Sequence, residues 1–460
     1  MTSQVAAPAD IEPQNGRFRR SWYWYDWANS AYVTTTATVL LGPYLTSVAK
    51  EAACPGLAEG AQCTTDLSIL GVPVDPGSLV PYTVTAATIL SAIVLIFVGA
   101  IADRSPRPAR LLGGFAWVGS LAACFMFFLV GSNWQLGVGL MMVAAVCLGS
   151  AQVVYDSLLC RIASPDERDS VSSRGWALGY LGGGLLLAIN LALVTIKPFG
   201  LDTETAVRIS LLSAGLWWAL FTVIPVKGMW DLRGVERPEV AREAGVVGGS
   251  LRQLWDTFTE LRAFPQTMLF LLAYLFFNDG IQTVIASSST YGSEELGFGQ
   301  SVLIATILLV QFVGMVGALV FGRAAERYGA RPVILVGLAI WMVIVTTAYF
   351  LPAGEVAPFL MLAVGIGIVL GGTQALARSY FSLLIPKGSE AEYFSFYHAM
   401  ERGTSWFGTL VFGLVYQLTG SYRPAIFALI AFFVIGGALL LKVDTARGIR
   451  DAGNEVPSTV

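Results

Sequence analysis

The sequence predicts an all-α polytopic membrane protein with twelve transmembrane helices arranged as two six-helix halves. Three observations predict it. Charged residues make up only 13% of the 460-residue chain, where a soluble domain carries about a quarter. The apolar residues, 55% of the total, come in uninterrupted blocks of the roughly 20 residues that a bilayer crossing requires. The punctuation of the first six blocks recurs in the second six. The charge deficit excludes a soluble enzyme and a disordered chain. With 28 Lys plus Arg against 31 Asp plus Glu, no basic excess is present to hold a nucleic acid.

The blocks run in order over 22–48, 82–102, 111–131, 135–160, 175–196 and 205–226, then 266–290, 302–322, 332–351, 359–385, 393–418 and 424–441. Residues 1–21 form a polar cytoplasmic tail without the apolar core and cleavage site of a signal peptide. Segment 22–226 is the first half and 227–265 a cytoplasmic linker. Segment 266–441 is the second half, and 442–460 a cytoplasmic tail. Within the linker, Ser250 to Leu261 places apolar residues at helical spacing between charges, which predicts an interfacial amphipathic helix. Basic residues near span ends stay on the cytoplasmic side. Counted over alternate loops, 22 of the 28 fall on the side of the N-terminus, and only Lys50, Lys197, Arg208 and Arg423 fall on the other. Both termini are therefore expected in the cytoplasm of a plasma-membrane protein. Arg378 and Arg402 are the two basic residues inside spans.

Cys54 and Cys63 share the first outside loop, where an oxidising compartment makes a disulfide the expected pairing. Cys124, Cys147 and Cys160 lie in spans as small apolar fillers. With one histidine in the chain, no spacing of His and Cys indicates a metal, and no phosphate-binding Gly-x-x-x-x-Gly-Lys loop or other cofactor motif is present. The aromatic run Trp22, Tyr23, Trp24, Tyr25 and Trp27 reads chiefly as an interfacial belt.

The internal repeat is specific. Gly99-Ala-Ile-Ala-Asp103-Arg104-Ser-Pro-Arg107-Pro follows the second span, and Gly322-Arg-Ala-Ala-Glu326-Arg327-Tyr-Gly-Ala-Arg331-Pro follows the eighth. Leu148-Gly-Ser-Ala-Gln152 in the fourth span matches Leu370-Gly-Gly-Thr-Gln374 in the tenth, and Asn29 matches Asn278. In each loop the glycine allows close helix approach, while the acid and arginines can latch neighbouring helix ends. The duplicated loop resembles that of the major facilitator superfamily, over essentially the whole hydrophobic chain. Tyr25-Asp26-Trp27-Ala28-Asn29-Ser30-Ala31-Tyr32, Arg174-Gly175-Trp176-Ala-Leu-Gly179-Tyr180-Leu-Gly-Gly183-Gly184 and Gly403-Thr-Ser-Trp-Phe-Gly408 resemble the vacuole-effluxer family within it. The fifth span also resembles the antiporter glycine motif, with Tyr180 where that motif has proline. The resemblance implies a monomeric secondary carrier of small solutes, amino acids in the fungal members, with spans one, four, seven and ten lining a central cavity.

Ionisable groups at membrane depth are functional candidates by default. Arg161, Arg174 and Glu392 are expected to snorkel from span ends. In the first span Asp26, Asn29, Ser30, Thr34 and Thr36 share one broad helical face. Asp26 serves there either in binding substrate or a proton, or in a structural pair with Arg20. The seventh span aligns Asn278 and Gln282 with Asp279 at their flank; mid-span Asp279 is the first candidate for binding a proton or a cationic group. Gln152 and Asp156 are one helical turn apart, and the repeat sets them against Gln374 and Arg378. Asp156 and Arg378 are therefore expected to gate between the halves with the glutamines nearer substrate; the rival reading makes Arg378 a clamp for a substrate carboxylate. His398, Glu401 and Arg402 complete the substrate and proton candidates. Proton-coupled efflux of a small polar solute is the leading reading. A carrier of a sugar, drug or lipid and a non-transporting sensor or scaffold stay open. An intramembrane enzyme lacks the nucleophile or metal cluster it needs.

Overall fold

In hydrocarbon a backbone segment has to satisfy its own N–H and C=O groups, and the computed structural model is accordingly built of helices. It describes residues 11–56, 63–69, 71–233 and 262–459. The expected helix over 250–261 lies outside the described residues. The first crossing is one continuous rod: α1 (Ile11–Tyr32) runs through a π-helical stretch (Val33–Leu40) into α2 (Leu41–Ala53). A two-stranded ribbon, β1 (Leu67–Ile69) with β2 (Val72–Val74), and the Cys54–Cys63 disulfide fold the loop that follows. Then come α3 (Leu79–Arg104), α4 (Pro108–Phe125), α5 (Trp134–Ile162), α6 (Arg168–Ile196) and α7 (Thr203–Gly228). The second half holds α8 (Pro265–Thr290), α9 (Gln300–Tyr328), α10 (Ala330–Tyr349), α11 (Val356–Leu383), α12 (Glu390–Thr419), and the broken pair α13 (Tyr422–Ala428) and α14 (Ile430–Leu441).

Among the described residues ten helices are long and apolar enough to cross a membrane. The first crossing and α12 fall outside that measure, and these two carry Asp26, Asn29, His398, Glu401 and Arg402. Polar content at membrane depth is thus concentrated on the helices that face a cavity rather than lipid. Helix ends are set locally. Asp202 caps α7 by accepting the Thr205 N–H at 2.7 Å, Pro108 and Pro265 start α4 and α8, and Gly329 turns α9 into α10 at φ 84°.

Without a hydrophobic force between helices in lipid, close backbone approach supplies the packing. The row Gly175, Gly179, Gly182, Gly183 on α6 forms the groove that receives α1: a Cβ at Gly179 would stand 2.7 Å from Ser30 Oγ, and one at Gly182 2.7 Å from the Trp27 carbonyl. The halves meet along α3 with α12 and α6 with α9. The motif glycines sit at these contacts, at the end of the molecule that carries both termini. A Cβ at Gly99 would meet the Ala391 carbonyl at 2.7 Å, and one at Gly322 would meet Ser173 Cβ at 2.5 Å.

The two latch loops are not equivalent. Asp103, 1% exposed, accepts the Ala391 and Glu392 N–H groups, each at 2.9 Å, and so caps α12 of the opposite half. Glu326 and Arg327 are exposed, as are Arg104 and Arg107, and Arg331 instead donates to the Leu440 carbonyl at 3.2 Å. Glu392 is buried beside Asp103 and does not snorkel, because the helix terminus it occupies packs against α3. The described parts of both tails are held by specific bonds. Arg19 donates to the Ile162 carbonyl at 2.9 Å and pairs with Glu167, which extends α1 back to Ile11. The C-terminal segment forms α15 (Thr445–Asp451). It is followed by Asn454 on the Leu383 and Ile385 carbonyls and Ser458 on Asp166, one anchor in each half.

Candidate functional site

A cavity of about 670 Å³ lies between the halves. Its walls come from α1, α5 and α6 on one side and α8, α9, α11 and α12 on the other. They run from Asp26, Asp156, Arg378 and His398 up to Ser288, Ser289, Leu303 and Phe359. The last four lie at the ends of α8, α9 and α11 remote from the termini, so the cavity reaches that end of the molecule. Toward the termini it has a floor made of charge.

Arg378, 2% exposed, is the centre of the floor. Its Nη1 lies 3.1 Å from Asp156 Oδ1 and its Nη2 3.2 Å from Asp26 Oδ2. Its Nε donates to Ser172 Oγ at 2.9 Å and its Nη2 to the Ser172 carbonyl at 3.0 Å. All these partners belong to the other half. The guanidinium also lies over the Trp22, Tyr155 and Trp176 rings, at 4.8, 5.5 and 5.5 Å. Tyr155 donates to Asp26 Oδ2 at 2.8 Å. Room for the pair is made by Gly175, where a Cβ would stand 2.6 Å from Asp26 Oδ2 and 3.2 Å from Arg378 Nη2. Below this layer Arg168 Nη1 donates to the Ser382 carbonyl at 2.7 Å and Ser172 Oγ to the Ala375 carbonyl at 2.7 Å. The floor is therefore sealed by hydrogen bonds between the halves.

His398 joins the layer from α12. Its Nε2 is 2.8 Å from Asp156 Oδ2 and its Nδ1 3.1 Å from Glu401 Oε2. Gln152 Nε2 lies 3.4 Å from Asp156 Oδ1, and Gln282 Nε2 3.5 Å from Glu401 Oε1. Arg402 lines the same wall and reaches across to α5, where a Cβ at Gly149 would be 3.2 Å from its Nη2. Gln374 lines the cavity and donates to Asn278 Oδ1 at 2.8 Å. Higher up, Gln311 donates to Thr34 Oγ1 at 3.3 Å, linking α9 to the π-helical stretch.

The structure thus brings Asp26, Gln152, Asp156, Arg378, His398 and Glu401 into one network, with Asn29, Gln282, Gln374 and Arg402 on the cavity wall. Four expectations change. Asp26 does not pair with Arg20, which is exposed; six residues along a helix put the two on different faces. In the closed floor Arg378 is engaged by two carboxylates rather than turned toward the cavity as a clamp. Asp279, 1% exposed, does not line the cavity. It points toward α12, where its Oδ2 accepts the Gly408 N–H at 2.8 Å, and Asn278 stands behind Gln374. Trp22 and Tyr25 are fully buried against Tyr155 rather than in an interfacial belt. Tyr155 and Ser172 had no signal of their own in the sequence: a tyrosine beside Asp156 and one serine of a polar run became partners only through the packing of α1, α5, α6 and α11.

Residues 15–453 match the family model described as vacuole effluxer Atg22 like. The chain is 30% identical over 442 residues to YxiO of Bacillus subtilis, an uncharacterized MFS-type transporter, covering 95% of this chain and 97% of that one. It is 25% identical over 467 residues to autophagy-related protein 22-1 of Phaeosphaeria nodorum, covering 86% and 81%. Among solved structures it is similar to a proton:xylose symporter of the major facilitator superfamily, with TM-score 0.69, 12% identity and coverage of 94% and 96%. It is also similar to a bacterial homologue of the iron transporter ferroportin in its outward-facing state, with TM-score 0.65, 13% identity and coverage of 94% and 99%. The shared fold is that of the major facilitator superfamily.

Proposed function

The chain belongs to the Atg22-like vacuole effluxer family, and from that premise we propose that it is a secondary active carrier moving a small polar solute by alternating access, driven by protons. The observation that carries the reading is the asymmetry of the cavity. A space large enough for a small solute opens at one end and is sealed at the other by Arg378 bound to Asp26 and Asp156 of the opposite half. A pair that spans the halves has to break when they rock, so it acts as the gate.

Glu401 and Arg402 give the wall one charge of each sign, with Gln152, Gln282 and Gln374 nearby. That set suits the ammonium and carboxylate of an amino acid, the class to test first. The halves 22–226 and 266–441 rock about this site as a monomer in the plasma membrane, joined by 227–265. By the distribution of basic residues, the floor and both termini face the cytoplasm and the structure is outward-open. The test is flux of radiolabelled amino acids in proteoliposomes, with and without a pH gradient. Uptake or exchange that saturates and requires the protein is the expected result. Binding without any flux, across a panel extended to sugars and organic ions, overturns the carrier reading.

A further inference from the structure

We propose that Asp156, His398 and Glu401 form the proton-binding site of the carrier, and that the bound proton holds the floor closed. The geometry requires a proton. A neutral imidazole has one N–H and one bare lone pair, yet both ring nitrogens of His398 face carboxylate oxygens, at 2.8 Å and 3.1 Å. Two good bonds need two hydrogens on the ring, or one on a neighbouring carboxyl. Either way the triad holds one proton more than a neutral imidazole between two carboxylates.

The charges around His398 agree. From α5 it faces Asp156, with Gln152 behind; from its own helix Glu401, Arg402 and Tyr397; from α8 Tyr274 and Gln282; and from α11 Arg378, which carries Asp26 of α1. Two turns toward the termini, α3 presents Asp103 to the start of α12. Within the layer Asp26, Asp156 and Glu401 oppose Arg378 and Arg402. The extra proton makes three charges of each sign. Without it the layer keeps an uncompensated negative charge at membrane depth, which is costly.

Asp156 is the coupling element, because one oxygen holds His398 and the other holds Arg378. Glu401 has the most exposed side chain of the triad, at 26%, and lines the open cavity. A proton arriving there passes to His398 and completes the bond to Asp156, drawing α12 and α5 together beside the Arg378 lock. When the halves separate at the floor, His398 loses Asp156 and the proton leaves to water on the terminal side. No bond other than N–H and O–H is made or broken.

This assignment rests on the carrier reading for its purpose, but its test does not need a substrate. The chain has one histidine, so protein labelled with 15N-histidine and placed in lipid nanodiscs yields a single pair of ring nitrogens. At pH 7 the full-length protein is expected to show two N–H groups on that ring, and Asp156→Asn and Glu401→Gln one each. Should one variant fail to fold, the other decides. One bare ring nitrogen in the unmodified protein at pH 7 with both the Asp156 and Glu401 carboxyls ionised by their 13C shifts, or two N–H groups surviving in a folded variant, overturns the proposal. Spin labels across the floor supply the second readout. The closed population is expected to fall about tenfold, the size of a typical coupling, as pH is raised through the loss of the second N–H, and to be flat with pH in His398→Gln. An equal pH response in His398→Gln overturns the link to the gate. Absence of flux in proteoliposomes would defeat the carrier reading and leave the nitrogen result standing.

Discussion

Replacing Arg378 by glutamine tests the floor most directly. The guanidinium is 2% exposed and bridges two carboxylates that are themselves 7% and 1% exposed at the side chain. Removing one partner of a buried ion pair costs about 3–5 kcal/mol, because the other charge is left without compensation. Here Asp26 keeps only the Tyr155 hydroxyl, while Asp156 keeps His398 and Gln152, and either carboxylate can lower the penalty by taking up a proton, so the lower end, about 3 kcal/mol, is the working value. The penalty falls on the closed floor alone, since separated halves let water reach Asp26 and Asp156. At about 1.4 kcal/mol per factor of ten, the ratio of closed to open floor drops by about two orders of magnitude. Spin labels at exposed Arg107 and Lys387, one in each half at the terminal end, read that ratio as a distance distribution after Cys124, Cys147 and Cys160 are replaced. The main distance is expected to lengthen in Arg378→Gln. It should return part of the way when Asp26→Asn and Asp156→Asn are added, because removing a whole buried pair is close to neutral while loss of the His398 partner still costs about a factor of ten. A folded Arg378→Gln protein with an unchanged distribution would refute the gate.

The two latch loops predict unequal effects. Asp103→Asn weakens the cap on α12 and is expected to shift the same distance toward the open floor by about 1 kcal/mol. Glu326→Gln, at an exposed position, is expected to change nothing; equal shifts would favour a symmetric latch. Gly175→Ala forces a Cβ to 2.6 Å from Asp26 and 2.8 Å from the Trp22 ring. The expected cost of about 1–3 kcal/mol lowers the midpoint of thermal unfolding in detergent, whereas Gly114→Ala, with open space around it, leaves the midpoint unchanged. Removing the Cys54–Cys63 link, which joins positions nine apart in the sequence, costs up to about 2–3 kcal/mol of unfolding free energy with the floor distances unaffected. Ending the chain after Gly453 frees Leu383, Ile385 and Asp166 from the tail. A modest rise in the open population is expected, and no rise would show that the tail only rests on the closed face.

Much of the fold was legible in the sequence because lipid imposes it. Crossing length sets the size of an apolar block, and the duplicated Gly99 and Gly322 loops mark the repeat that pairs Gln152 with Gln374 and Asp156 with Arg378. The one-turn spacing of His398 and Glu401 could be read in the same way. Periodicity states which residues share a face, but not which helix lies opposite. Asp26 therefore found Arg378, 352 residues away, and its expected neighbour Arg20 stayed exposed. Asp279, one residue and about 100° beyond Asn278, turned away from the cavity to Gly408.

These departures share a direction. The repeat is close to symmetric in helix order, yet Asp26 and its counterpart region at Asn278 and Asp279 do different work, and Asp103 caps across the halves where Glu326 does not. All the ionic bonds that join the halves through Arg378 and His398 lie on the terminal side of the cavity. The wall near the other end carries no charge among the described residues: Leu303, Ile307, Phe359, Leu362 and Ile366 are apolar, with the hydroxyls of Ser288, Ser289 and Thr306 among them. On the proposed mechanism, closing that end dehydrates an uncharged, mainly apolar surface rather than forming an ion pair, so the two ends would respond to different variables. Charge and protons would act on the floor, and packing on the mouth. On the proposed mechanism, a duplicated frame with one charged floor and one uncharged mouth would let a bound proton favour one conformation over the other.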